Sequence, residues 1–302
     1  MESREELTRY AWLSVATAVG VIVLKVAAYL LTGSMGFLSD ALESGANIIA
    51  AIITLVALLV AARPPDKEHA YGHSKAEYLS SGAEGALILL AAGFIAWQAI
   101  LRLLNPEPLA QVGLGILVSA VAAVANFSVA RILLKAGREH RSDALTADAH
   151  HLLTDVWTSI GVIVGVALVS LTGWLWLDPA VALIVALQIL LTGYKLVRNA
   201  VNGLMDAGLP DEEVARIRVI LERFGEEGVR YHALRTRSSG AQRFVSVHIQ
   251  VPGDWSVQRG HELLEKIERE IRNELSPVNV ITHIEPVEDP VSWKDAPLNR
   301  PD

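Results

Sequence analysis

Apolar residues come in six long runs before giving way to a shorter, alternating pattern. The runs lie at roughly 10–32, 36–62, 78–103, 110–135, 144–171 and 176–201. Each is longer than the about 20 residues a helix needs to cross a bilayer. The pattern therefore predicts six transmembrane helices, since runs of this length do not fit inside one soluble core. The links at 32–36 and 171–176 are short and carry Gly33, Gly36 and Gly173, so they predict tight hairpins.

The pattern changes near Leu209-Pro210-Asp211, where Pro210 either ends the preceding helix or starts the next, and Asp211, Glu212 and Glu213 favour a helix N-terminus. Residues 211–225 and 256–275 predict helices; 229–237, 243–251 and 278–286 predict strands. The order αββαβ predicts a small α+β domain with its helices on one face of a sheet. The expected division is a transmembrane part over 1–208, a soluble domain over 209–290 and a loosely ordered tail over 291–302, rich in Pro and Asp from about 287. The fold class is thus a six-helix membrane bundle, all α, with a C-terminal α+β domain.

Lys and Arg set the orientation. Arg4 and Arg9 precede the first run, and Arg63, Lys67 and Lys75 lie between the second and third. Arg131, Lys135, Arg138 and Arg141 lie at or between the ends of the fourth and fifth, Lys195 and Arg198 close the sixth, and the other connections carry almost none, Arg102 excepted. Positive charge collects on the cytoplasmic side, so both termini are expected there. Trp174 and Trp176 then fall at the opposite interface, where amphipathic aromatics are favoured. The polar, acidic start Met-Glu-Ser-Arg-Glu-Glu does not look like a cleaved signal peptide.

Composition adds three points. The chain of 302 residues is 52% hydrophobic, too apolar for an ordinary soluble protein. It has no cysteine, so any metal site must use His, carboxylate or carbonyl oxygen. Its net charge of -7 argues against a nucleic-acid partner.

Candidate chemistry lies first within the runs. Glu43 and Asn47 in the second, and His151 and Asp155 in the fifth, are i, i+4 pairs, each on one helix face. Ionisable groups in lipid are costly and mark transport, proton relay or ion binding. Two such faces turned together offer a divalent cation four N/O ligands, a set that suits Zn²⁺ and also admits Fe²⁺, Co²⁺ or Mn²⁺. The alternative is a set of interhelical hydrogen bonds that only holds the bundle together. Asp40 and Asp148, each three residues earlier, extend the same faces toward an access path, and Lys25 in the first run either snorkels or pairs with a carboxylate. A second group, Asp66, His69 and His73, has the spacing of a small metal site in a loop; a solvated loop is the alternative. A third lies in the soluble domain: His232 and His248 on separate strands, His261 on a helix, and His283 with Glu285 on one strand face. These too can be scattered surface residues.

At this point the chain resembles the cation diffusion facilitators, divalent-metal/proton antiporters, over nearly its whole length, and most of all the bacterial zinc and ferrous-iron efflux type. The matching stretches are Glu-Ser-Gly-Ala-Asn (43–47), Asp66 with Tyr-Gly-His-Ser-Lys-Ala-Glu (71–77), His-Leu-Leu-Thr-Asp (151–155), Leu-Pro-Asp-Glu-Glu (209–213) and His-Ala-Leu-Arg-Thr-Arg (232–237). The resemblance implies a transport site at Glu43, Asn47, His151 and Asp155. In the zinc and ferrous-iron efflux type two Asp stand where this chain has Glu43 and neutral Asn47, a departure that removes one charge. It further implies a loop site at Asp66, His69 and His73, and a pair of metals held by His232, His248, His261, His283 and Glu285 at the interface of two cytoplasmic domains. Glu285 replaces a usual Asp. A homodimer, a ferredoxin-like C-terminal domain and a Lys75–Asp206 charge pair near the membrane boundary are also implied, while His140 and His150 match no metal position.

The function expected is proton-coupled export of a divalent cation from the cytoplasm across the inner (plasma) membrane. Zn²⁺ is the first cargo, with Fe²⁺, Co²⁺, Cd²⁺ or Mn²⁺ as the others. The protein is not expected to be an enzyme. Its partners are a second copy, the lipid bilayer, metal ions and protons. A passive channel and a membrane metal sensor are the competing readings.

Overall fold

The structure, a computed structural model, describes residues 2–139, 143–225 and 228–293. Six helices come first: α1 (Glu2–Thr32), α2 (Met35–Ala61), α3 (Ala76–Leu104), α4 (Val112–Glu139), α5 (Asp143–Thr172) and α6 (Leu177–Leu204). Each contains a stretch long and apolar enough to cross a membrane. Most overrun the predicted limits, because polar and charged residues of good helix propensity carry the helix beyond the part that lipid must cover. Large apolar side chains such as Leu30, Leu59, Leu90 and Leu171 face outward, as expected where the surroundings are hydrocarbon.

The chain divides into two compact units, Met1–Thr54 with Gly82–Val197, and Leu55–Ser81 with Arg198–Asp302. This differs from a cut at 208, because the end of α2, the following loop and the start of α3 group with the C-terminal residues.

In the first unit, α4 packs on α1 and α5. The core is built mainly from small and branched residues of several helices, among them Ala28, Ala92, Ile95, Val162, Val166 and Ala186, packed with the ring of Phe37. Small residues let helix backbones approach when no water drives them together. Gly85 is the clearest case: a Cβ there would lie 2.8 Å from the Val197 side chain and 3.0 Å from the Gly193 carbonyl oxygen. Polar contacts fix the hairpins. Asp178, buried at the start of α6, accepts hydrogen bonds from the Ser34 hydroxyl, the Met35 N–H (2.7 Å) and the Gly36 N–H (3.1 Å). It thereby caps the positive end of α2.

Lys25 does not snorkel. It is buried and donates to Asp40 Oδ1 at 2.7 Å and Ser44 Oγ at 2.8 Å. The Ser159 hydroxyl of α5 donates to Asp40 Oδ2 at 2.9 Å. Asp40 is therefore a strut between α1, α2 and α5, and does not line an access path as its spacing suggested; its charge is balanced by the ammonium.

In the second unit, α7 (Asp211–Glu222), β1 (Arg230–Ser239), β2 (Gln242–Val251), α8 (Val257–Leu275) and β3 (Val278–Pro286) follow the predicted αββαβ order. Pro210 caps α7 rather than ending α6. The sheet order is β1-β2-β3, with β1 and β2 antiparallel and β2 and β3 parallel. The parallel pair is joined through α8, the crossover such pairs require. Gly240, at φ +55, turns the β1–β2 hairpin. Ser256 caps α8 by accepting the Arg259 N–H at 3.2 Å. Leu263, Ile267, Ile271 and Leu275 of α8 meet Val245, Val247, Ile249 and Val251 of β2 in one core. Alternate β2 residues thus face the helices, and Ser246 and His248 face away.

The start of the tail is more ordered than its composition suggests. Pro290–Trp293 form a 3-10 turn. Gln250 Nε2 donates to the Ser292 carbonyl at 3.1 Å, and the Trp293 indole donates to the Val287 carbonyl at 2.9 Å. His140, Arg141 and the rest of the tail lie outside the described residues.

Candidate functional site

Three groups of side chains are built by these elements. The first lies inside the spans. Glu43 and Asn47 of α2, and His151 and Asp155 of α5, line a single cavity of about 310 Å³. The i, i+4 spacing does this work, since it stacks each pair on one face. Asp155 is buried and His151 is exposed. Glu43 Oε2 is shut off from solvent and, among the described residues, accepts no hydrogen bond. The four side chains surround a space and do not converge: among the described residues, Glu43, His151 and Asp155 are not a group whose candidate ligand atoms all lie within 4.8 Å. Thr154 of α5, Glu84 of α3, and Gln188 and Thr192 of α6 complete the polar lining. Neither Asp148 nor His150 lines it.

Those additional polar residues were missed because they are single. A lone carboxylate or carboxamide within an apolar run makes no spaced pair. Its presence inside a span is nonetheless a signal in itself.

The second group sits in the loop before α3. Asp66, His69 and His73 offer ligand atoms all within 4.8 Å of one another. Asp66 lies 3.3 Å from His69 Nδ1 and 3.2 Å from His73 Nε2, and the two rings are 4.5 Å apart. Asp66 Oδ1 accepts the backbone N–H groups of His69 (2.7 Å) and Glu68 (2.9 Å). The bond from His69, chiefly, holds its carboxyl below the usual carboxylate range. Oδ2 is thereby left toward His73, whose Nδ1 is buried without a hydrogen bond among the described residues.

The third group follows from strand register. His232 pairs with His248 across β1 and β2, and His248 with His283 across β2 and β3. One row of three imidazoles therefore crosses the sheet on the face away from the helices, with ring centroids 5.0 Å apart at each step. Glu285, two residues beyond His283, shares that face. Its carboxylate lies 2.8 Å from His232 Nε2, 3.1 Å from His248 Nδ1 and 3.4 Å from His283 Nε2. His232, His248 and Glu285 form the tight group. Glu285 is only 5% exposed and, among the described residues, its Oε1 accepts no hydrogen bond. His283 stands at the edge, 62% exposed. His261 is outside the tight group; it lines an adjoining groove with Glu285, Trp255 and Ile284.

The pair Lys75–Asp206 forms at 3.0 Å, and Arg237 joins it at 3.3 Å. Hydrogen bonding to Lys75, more than any other contact, holds the Asp206 carboxyl below the usual carboxylate range. The Arg237 guanidinium also lies over the Phe244 ring at 3.9 Å and near Tyr71 at 5.4 Å. This third partner was not legible in the sequence, since only β1 folding back brings it there.

The sequence matches two family models in succession: the cation efflux transmembrane domain over residues 11–205 and the cation efflux protein cytoplasmic domain over residues 209–287. An uncharacterized transporter of Synechocystis sp. is 50% identical over 298 residues, 96% of each chain. The cation-efflux pump FieF of Shewanella oneidensis is 31% identical over 275 residues, 91% of this chain and 92% of that one. Among solved structures, the metal-bound C-terminal domain of the CzcD transporter from Thermotoga maritima is 32% identical, covering 26% of this chain and 92% of that one, with a TM-score of 0.25.

Proposed function

We propose a mechanism for a chain that belongs to the cation efflux family, the cation diffusion facilitators: it exports a divalent metal ion, Zn²⁺ first, from the cytoplasm in exchange for protons. The protein is a multi-pass transporter, and the reading assigns it no catalytic residue. One observation carries the reading: Glu43, Asn47, His151 and Asp155 line one cavity within the spans. Nitrogen and carboxylate donors without thiolate suit a borderline cation, whereas Mn²⁺ prefers all-oxygen sites. His151 and the carboxylates must be free of protons to take metal, so metal and proton compete for the same atoms. Competition at one site is the element that lets a proton gradient drive metal out.

The loop and sheet groups are read as regulatory. Their donors fit a resident metal: His73 Nδ1 and Glu285 Oε1 are buried polar atoms without hydrogen bonds among the described residues. Asp66, His69 and His73 would hold one ion. His232, His248, Glu285, His283 and His261 would hold metal where two cytoplasmic domains of a homodimer meet. The bound cation supplies a charge that offsets the carboxylate and ties strands together. In this reading 1–208 form the transport part, 209–290 the cytoplasmic domain and 291–302 the tail, with both termini on the cytoplasmic side of the plasma membrane.

The test is Zn²⁺ uptake into proteoliposomes with and without an imposed pH gradient. Antiport predicts that a proton gradient accelerates zinc movement in the opposite direction, and that zinc movement shifts internal pH. Zinc flux indifferent to pH would indicate a channel. Zinc binding without flux would indicate a sensor.

A further inference from the structure

We infer that Glu84 of α3 is a ligand of the transported cation, bringing to the cavity a negative charge that Asn47 does not. The inference rests on the transport reading above. A carboxylate inside a span is costly and persists only where it is paired or functional. Glu84 lies within the α3 span, and among the described residues no hydrogen bond or ion pair engages it.

Its direction is set by packing. Glu84, Ile88 and Ala91 line the cavity together, and their i, i+4, i+7 spacing makes them one face of α3. The next residue, Gly85, presses against the α6 backbone at Gly193 and Val197. That close approach fixes the rotation of α3 and so the direction in which Glu84 leaves it. Around the cavity Glu43 and Asp155 are carboxylates, His151 is an imidazole, and Asn47 offers only a neutral amide oxygen. In low-dielectric surroundings a divalent cation gains far more from an anionic oxygen than from an amide dipole. Glu84 is the third carboxylate of the same cavity, and it comes from a third helix. Cargo binding would therefore draw on α3 as well as on α2 and α5.

The experiment measures initial rates of Zn²⁺ flux by the full chain in proteoliposomes. Glu84→Gln keeps the size and removes the charge, and should raise KM on the order of tenfold. Adding Asn47→Asp to that variant returns a negative charge to the same cavity from α2, and should bring KM most of the way back. Glu84→Asp, which keeps the charge, should stay near the wild type and serves as the test if Glu84→Gln does not fold. An unchanged KM in Glu84→Gln, with Asp155→Ala inactive, overturns the role of Glu84 and leaves the transport site standing. A raised KM that Asn47→Asp does not reverse, or that Glu84→Asp shares, makes Glu84 a packing residue and also overturns it. Full flux in Asp155→Ala would instead bring down the transport site itself.

Discussion

The intramembrane group and the sheet group use the same donor types and arrange them differently. On the sheet, His232, His248 and Glu285 already lie within 4.8 Å of one another, because strand register fixes them in a row. Within the spans, Glu43, Asn47, His151 and Asp155 stand around a cavity, each pair held by its own helix. A preassembled site binds tightly at little cost in reorganisation. A site whose halves sit on separate helices can change its ligand spacing when those helices move, which is what loading and releasing a cargo require. On the proposed reading, this difference assigns retained metal to the sheet group and transported metal to the intramembrane group.

The largest effect expected from this contrast is on transport. Asp155→Ala should remove Zn²⁺ flux in proteoliposomes, while size-exclusion chromatography still shows a folded dimer. Zinc should continue to stabilise the protein through the sheet group. Undiminished flux in a folded variant would erase the distinction.

Next comes the strut that holds the dispersed site. Lys25, Asp40 and Ser159 join α1, α2 and α5, with Lys25 and Asp40 both buried. Lys25→Met leaves the Asp40 carboxylate without its counter-charge and should cost about 3 kcal/mol. Thermal unfolding in detergent should show the loss, and the added stability from zinc should be unaltered. A neutral effect would mean that the strut does not hold the bundle.

The converged site gives a comparable but conditional effect. If Zn²⁺ at a hundred times its Kd binds only the folded protein, it adds about 2.7 kcal/mol. His232→Ala with Glu285→Gln should abolish that gain, and with it any strengthening of the dimer by zinc in analytical ultracentrifugation. Retention of the gain would place the stabilising metal elsewhere.

How much of this was legible in the sequence depended on distance along the chain. The six spans and the αββαβ order come from local periodicity, and the two i, i+4 pairs from helix geometry, so both could be read directly. The loop group is close in sequence and was equally legible. The sheet row was named residue by residue, but which members converge depends on register between strands. The 62% exposure of His283 and the separation of His261 from the tight group follow from that pairing. Glu84, Gln188 and Arg237 were missed because each acts alone in its own segment and gains meaning only from what another element brings beside it. Asp40 was misread for the same reason, since its partners Lys25 and Ser159 lie on other helices.

The smallest expected effect concerns the charge cluster of the second unit, and it carries a definite pH sign. Asp206 is bonded by Lys75 and approached by Arg237, and hydrogen bonding to Lys75 is the main cause of its lowered pKa. A carboxyl whose folded pKa is depressed adds stability that is present above its unfolded pKa of about 3.9 and is lost as pH falls through the lower folded value. The Asp206 side chain is 46% exposed, so water and salt screen the cluster and about 0.5 kcal/mol is the expected size. Asp206→Asn should therefore be slightly less stable than the wild type at pH 7. The gap should close as pH drops below the ordinary carboxylate range, and 1 M salt at pH 7 should also narrow it. Paired thermal melts of wild type, Asp206→Asn, Lys75→Met and the double variant give the coupling directly. A gap that widens in acid, or that salt leaves untouched, would show that charge is not what Asp206 contributes at its backbone φ of +58. Asn tolerates that conformation nearly as well, so the substitution isolates the charge from the turn.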